Sequence, residues 1–160
     1  MEKDDETLHA FLTTRYLHLR RSAFLMCGDW ALAGELTEMT LARLVVDSRR
    51  GDVVDPDTYA YADLMAAFQH RRGRREHVFV APPDDERTAG DDLARKILVL
   101  DKLSRLSPRC RAVLVLRHWD GFGVQETADM LGVSTDRATA YEAAGMGVLD
   151  VLLSDVAATR

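Results

Sequence analysis

Apolar residues recur at three- and four-residue spacing along most of this chain, and no stretch of comparable strength alternates at two. The pattern predicts an all-α protein. Leu8, Phe11, Leu12, Leu19 and Ala23 form a first helical stripe, which Gly28 stops and Asp29 re-caps. A second helix begins near Trp30 and turns Leu32, Leu36, Met39 and Leu44 to one side, until the polar run Asp47 to Asp52 breaks it. Asp55 and Pro56 read as a cap and a first-turn proline, since the proline lacks an N–H that would otherwise go unpaired. Tyr61, Leu64, Met65 and Phe68 then stand at i, i+3, i+4 and i+7, the spacing of a buried helical stripe.

The pattern lapses after the basic run Arg71, Arg72, Arg74 and Arg75. Ala81 to Gly90 combines a proline pair with polar and acidic residues, the composition of a connecting segment. The expected organisation is therefore a helical unit over 1–76, a linker over 77–91 and a second helical unit over 92–160. Leu93, Ile97, Leu100 and Leu103 begin the second unit on one amphipathic helix, and Ser107-Pro108 caps the next. Gly121 and Gly123 interrupt that helix near Trp119.

The remaining segments, Val124 to Leu131 and Thr135 to about Ser154, read as a helix-turn-helix. Ala128 and Ala138 are small where two helices must approach. Gly132 supplies the tight turn, and Val133 beside it is an apolar plug. In such a motif the first residues of the second helix reach base edges in the major groove. The candidates are Ser134, Thr135, Arg137, Thr139, Ala140 and Tyr141, with Arg117 on the preceding helix as an additional cation. Gly145 and Gly147 fall within the second helix, where each costs about 1 kcal/mol relative to Ala. They predict either an end or kink there, or close packing of another helix.

The run from Leu106 to Ser134 resembles region 4 of the extracytoplasmic-function sigma factors of bacteria, through its Arg-Ala-Val-Leu helix and its Glu-Thr-Ala-x-x-Leu-Gly-x-Ser turn. Ala33 to Leu41 is similar to the region 2 helix of that family, and Asp55 to Arg72 to its promoter-opening segment. The resemblance implies a fold of two helical modules and two binding partners, core RNA polymerase and promoter DNA. It assigns polymerase contact to Glu35, Leu36, Glu38 and Met39, and the downstream promoter element to Tyr61, Arg71 and Arg72. It also implies that a regulatory protein of the anti-sigma kind is a partner to look for.

Charge complicates this picture. The formal net charge is -5, although phosphate neutralisation by Lys and Arg supplies most non-specific DNA affinity. From Ser134 onward Arg137 and Arg160 stand against Asp136, Glu142, Asp150 and Asp155. Thr139 occupies a position where the family usually has a phosphate-binding Lys. Two readings therefore stay open: a promoter-reading initiation factor, and a sigma-derived regulator that has lost promoter binding and acts through protein contacts. A plain helix-turn-helix regulator dimerising through its first unit is a third, without heptads to support it.

Enzymatic readings find no footing in the motifs. The five histidines form no HxxxH pair, and neither a phosphate-cradling glycine loop nor a nucleophile elbow occurs. Neither a metal nor a cofactor is expected. Cys27 and Cys110 read as buried free thiols. With no apolar run near the ~20 residues of a membrane span and an acidic N-terminus, the expected location is the cytoplasm, away from membranes.

Overall fold

The computed structural model describes residues 2–70 and 100–158, and every element among them is helical. We label these α1 (Glu2–Cys27), α2 (Trp30–Arg50), α3 (Pro56–His70), α4 (Pro108–Leu114), α5 (Val124–Leu131) and α6 (Thr135–Ala158). Residues 100–104 are helical, and a π-helical segment, Val115–Trp119, extends α4. The expected linker over 77–91, along with Leu93 and Ile97, lies outside the described residues.

The helix boundaries follow from the capping residues. Asp29 accepts the Leu32 N–H at 3.1 Å, Asp55 accepts that of Thr58 at 3.0 Å, and Ser107 accepts that of Cys110 at 3.3 Å. Each satisfies a backbone donor that the first turn leaves unpaired. Helix α2 runs through the polar Asp47 to Arg50 stretch and ends only at Gly51, so polarity alone did not stop it.

Helix α2 buries Ala33, Leu36, Thr37, Thr40, Leu41 and Leu44, and Met39 is 51% exposed. The inward stripe is thus rotated from the one its apolar residues suggested. Two threonines share it because their hydroxyls find partners, Thr37 on the Ala33 carbonyl at 2.7 Å and Thr40 on the Asp63 carboxylate at 2.7 Å. A satisfied hydroxyl costs little to bury.

One core spans both ends of the chain. Leu19, Ala23, Met26, Leu36, Leu44, Leu64 and Met65 from α1–α3 cluster with Ala112, Val115, Leu116 and Met130. Helix α3 lies against α5, and α1 against the π segment. A smaller cluster of Leu103, Leu106 and Leu114 packs with Leu25, Cys110 and Leu149.

Helix α6 continues unbroken through both glycines. A Cβ on Gly145 would meet Leu114 Cδ1 at 3.0 Å and Cys110 Cβ at 3.4 Å, so this glycine admits α4, the close-packing alternative. Gly147 faces open space. Neither cysteine forms a disulfide, and both are half-buried, not fully buried as expected.

Candidate nucleic-acid interface

The turn between α5 and α6 is set by backbone geometry that its sequence requires. Gly132 sits at φ +64°, a left-handed conformation that side chains with a Cβ rarely adopt. Its N–H reaches the Asp129 carbonyl at 3.3 Å, and the Val133 N–H reaches the Ala128 carbonyl at 3.0 Å, which closes the end of α5. Ser134 then caps α6 by accepting the Arg137 N–H at 3.2 Å. Ala138, fully buried, is where α6 approaches its neighbours.

This geometry leaves Ser134, Arg137, Thr139 and Ala140 exposed, and Thr135 and Tyr141 half-buried. Arg109 donates to the Tyr141 hydroxyl at 2.9 Å, with its guanidinium 5.9 Å from the ring centre. Arg109, Arg137, Tyr141 and Val133 line a cleft of about 250 Å³, and Gln69, from the last turn of α3, forms part of the same wall. The N-terminal helices therefore reach the start of α6.

Arg117 is engaged elsewhere. It donates to Glu142 of α6 at 3.3 Å and to the Phe122 carbonyl at 2.9 Å, and His118 meets the other Glu142 oxygen at 2.9 Å. One carboxylate on the helix thus neutralises the cation that sequence placed beside DNA.

Arg111 is withdrawn altogether. Its guanidinium donates to the carbonyls of Leu103 (2.7 Å), Ser104 (3.0 Å), Leu106 (3.0 Å) and Met26 (2.5 Å). Burial lowers its pKa, opposed by the nearby Cys27. No sequence signal separated this internal cation from its neighbours Arg109 and Arg117.

On α2, Glu35, Glu38 and Met39 are exposed on one surface, and Glu38 accepts from the Tyr16 hydroxyl at 3.3 Å. Leu36 is 3% exposed and belongs to the core, where it seats the helix that presents the other three. Gly34 makes room for Arg20. A Cβ there would stand 2.9 Å from the guanidinium, which stacks on Trp30 at 4.2 Å and donates to the Trp30 carbonyl.

Tyr61 is only 2% exposed, and its ring meets Phe122 edge-on at 4.9 Å. Its hydroxyl donates to Asp120 Oδ1 at 3.2 Å, and Ser22 Oγ lies 2.8 and 2.9 Å from the two Asp120 oxygens. Burial, offset by these hydrogen bonds, pushes the Asp120 carboxyl up to about 6, and burial with the adjacent Asp120 charge pushes the Tyr61 phenol up as well. Nothing in the local sequence pairs Ser22 with Asp120. Arg71 and Arg72 lie outside the described residues.

Among the described residues no three His, Cys, Asp or Glu side chains are grouped to hold a metal ion. No described helix is long and apolar enough to cross a membrane.

A capped turn between two helices, mounted on an all-helical core with the first turn of its second helix exposed, defines a helix-turn-helix protein. Residues 96–137 match the family described as Sigma-70, region 4. The RNA polymerase sigma-E factor of Streptomyces coelicolor is 30% identical over 146 residues, which cover 83% of this chain and 79% of that protein. The sigma-E factor of Streptomyces avermitilis is 42% identical over 52 residues, 31% of this chain and 29% of that one. The chain belongs to the extracytoplasmic-function group of RNA polymerase sigma factors, and is a sigma-like transcription initiation protein.

Proposed function

We propose that this protein acts by binding rather than by catalysis, docking on core RNA polymerase and carrying it to promoter DNA read by the start of α6. The observation that carries the reading is the exposed first turn of α6, set by Gly132 and Ser134, in a chain similar over most of its length to a sigma factor. Ser134, Thr135, Arg137, Thr139, Ala140 and Tyr141 are the base- and phosphate-facing residues in this reading. Arg137 is the candidate for a bidentate guanine contact, worth about 1–3 kcal/mol of discrimination. Glu35, Glu38 and Met39 form the polymerase-facing surface, supported by Leu36 from beneath. Tyr61, Arg71 and Arg72 would meet the downstream element.

In this reading the units are 1–76 and 92–160, joined by 77–91, and the protein works in the cytoplasm under a regulatory protein partner. The test is reconstitution: purified protein with core polymerase should start transcription from a subset of a genomic promoter library. Failure across the library would defeat the proposal.

A second reading draws support from the cations. Arg111 is internal and Arg117 is bound to Glu142, so two of the three arginines flanking α6 on α4 and its extension are already engaged. On that reading the protein has lost promoter binding and acts through protein contacts. Capture from extract would then recover a specific partner without DNA, and tight sequence-selective DNA binding at physiological salt would argue against it.

A further inference from the structure

The arginines around α6 divide by what already holds them. Arg117, on the π segment, directs Nε to Glu142 at 3.3 Å and a terminal nitrogen to the Phe122 carbonyl at 2.9 Å. The Glu142 side chain is 19% exposed, and His118 meets its other oxygen at 2.9 Å. Turning Arg117 toward a phosphate would leave a mostly buried carboxylate without its cation, which costs more than one surface contact returns. Arg109, in the first turn of α4, is placed differently. It is exposed, no carboxylate lies within salt-bridge distance of it among the described residues, and it donates through Nη1 to the uncharged Tyr141 hydroxyl at 2.9 Å. A guanidinium carries five N–H donors in a rigid fork, so most of them remain for an anion. Arg137 lines the same cleft, also without a carboxylate partner among the described residues, and Gln69 there is uncharged.

We propose that Arg109 is the phosphate-contacting cation that flanks α6, that Tyr141 is its positioning residue, and that Glu142 keeps Arg117 out of the interface. This deepens the promoter-reading function above and rests on it. Thr139 and Ala140, exposed on α6, bring no charge to a phosphate, so the cations must come from Arg137 and from the neighbouring helix α4. The Tyr141 hydroxyl and ring, 5.9 Å from the Arg109 guanidinium, limit the positions that this long side chain takes up. Less rotamer freedom is then lost when an anion is bound. The acidic balance of α6 acts through one residue in this scheme: Glu142 removes a cation from the interface, and losing that carboxylate should strengthen binding.

The experiment titrates the full chain into a fluorescent random-sequence DNA duplex pool and follows anisotropy at several salt concentrations. Arg109→Gln should weaken binding about tenfold at low salt, the loss of a charge-assisted hydrogen bond, and reduce the log–log salt slope by about 0.9. Tyr141→Phe keeps the ring and the net charge and should weaken binding about threefold, yet add nothing in the Arg109→Gln background. A purely structural role of the hydroxyl would not give that coupling. Glu142→Gln should act in the opposite direction, tightening binding and steepening the slope, since it releases Arg117. Arg117→Gln combined with Glu142→Gln leaves the net charge unchanged and should bind as wild type does. Helical circular dichroism checks folding, and if Arg109→Gln fails to fold, Arg109→Lys, which keeps the charge and loses the fork, replaces it with a smaller expected loss. An Arg109→Gln variant that binds as wild type does, or a double variant that loses binding, overturns the assignment alone. If neither wild type nor Glu142→Gln binds duplex at low salt, the promoter reading falls and the assignment falls with it.

Discussion

Among the described residues, two polar seams join the N-terminal and C-terminal helices, and they are built in opposite ways. At one, Arg111 places a cation among four main-chain carbonyls, taken from the C-terminal end of α1 and from the chain leading out of the helix at 100–104. At the other, Asp120 places an anion against two hydroxyls. The arginine is matched by the negative end of helix dipoles and by geometry that fills most of its donors. The carboxylate is under-matched. One seam is therefore well matched, whereas the other holds only as firmly as its surroundings let a charge stay half out of water.

Breaking the stronger seam should have the largest effect. Arg111→Met keeps the aliphatic stem and strips four carbonyls of their donor, and should destabilise the chain by about 3 kcal/mol, measured by urea denaturation followed at 222 nm. A loss below about 1 kcal/mol would mean that water replaces the guanidinium without penalty, and the contrast between the seams would vanish.

The weaker seam has a pH signature of definite sign. The Asp120 carboxyl is raised to about 6 in the folded chain from an ordinary 3.8, so protonation favours the folded state. Its contribution is fully present below about 4 and is lost as pH rises through 6. The groups facing it are the Ser22 and Tyr61 hydroxyls and, at longer range, the Arg15 guanidinium of α1, which lowers it. The stability difference between Asp120→Asn and wild type should accordingly grow by about 1–2 kcal/mol between pH 4 and 6.5, after discounting for partial exposure, and then level off. A difference that stays flat over that window would place the carboxylate in free contact with water. The Arg111 seam should show no such window.

The two glycines of α6 calibrate these effects away from either seam. Gly147→Ala enters open space and should stabilise by about 1 kcal/mol through helix propensity. Gly145→Ala must push Leu114, held among Leu103 and Leu106, so its propensity gain should be cancelled or reversed. Thermal melts of the two single variants would rank them. Equal gains at both positions would show that α4 yields easily, and that the packing beside Arg111 is looser than its hydrogen bonds suggest.

Much of the fold was legible because it is written locally. Asp29, Asp55 and Ser107 cap where their side chains predicted, and Gly132 turns where only a residue without Cβ is comfortable. The inward rotation of α2 was not, because Thr37 and Thr40 count as polar until their partners are known. The candidate interface was legible at the turn and obscure around it. Arg109, Arg111 and Arg117 look alike in sequence, yet one leans on Tyr141, one is internal and one is held by Glu142. Ser22 and Asp120 meet across 98 positions, and no periodicity carries information over that distance.

The π segment has a consequence that belongs to ancestry more than to energetics. Its wide turn, in which the Asp120 N–H reaches back five residues to the Val115 carbonyl at 3.0 Å, behaves as one residue inserted into an otherwise regular helix. Each residue of a regular α-helix advances the angular phase by about 100°, and the wide turn takes up one extra residue without passing that rotation on, so Asp120 and Phe122 keep the face that meets α1 and α3. A lineage can therefore lengthen this helix by a single codon and keep the contact between the two ends of the chain.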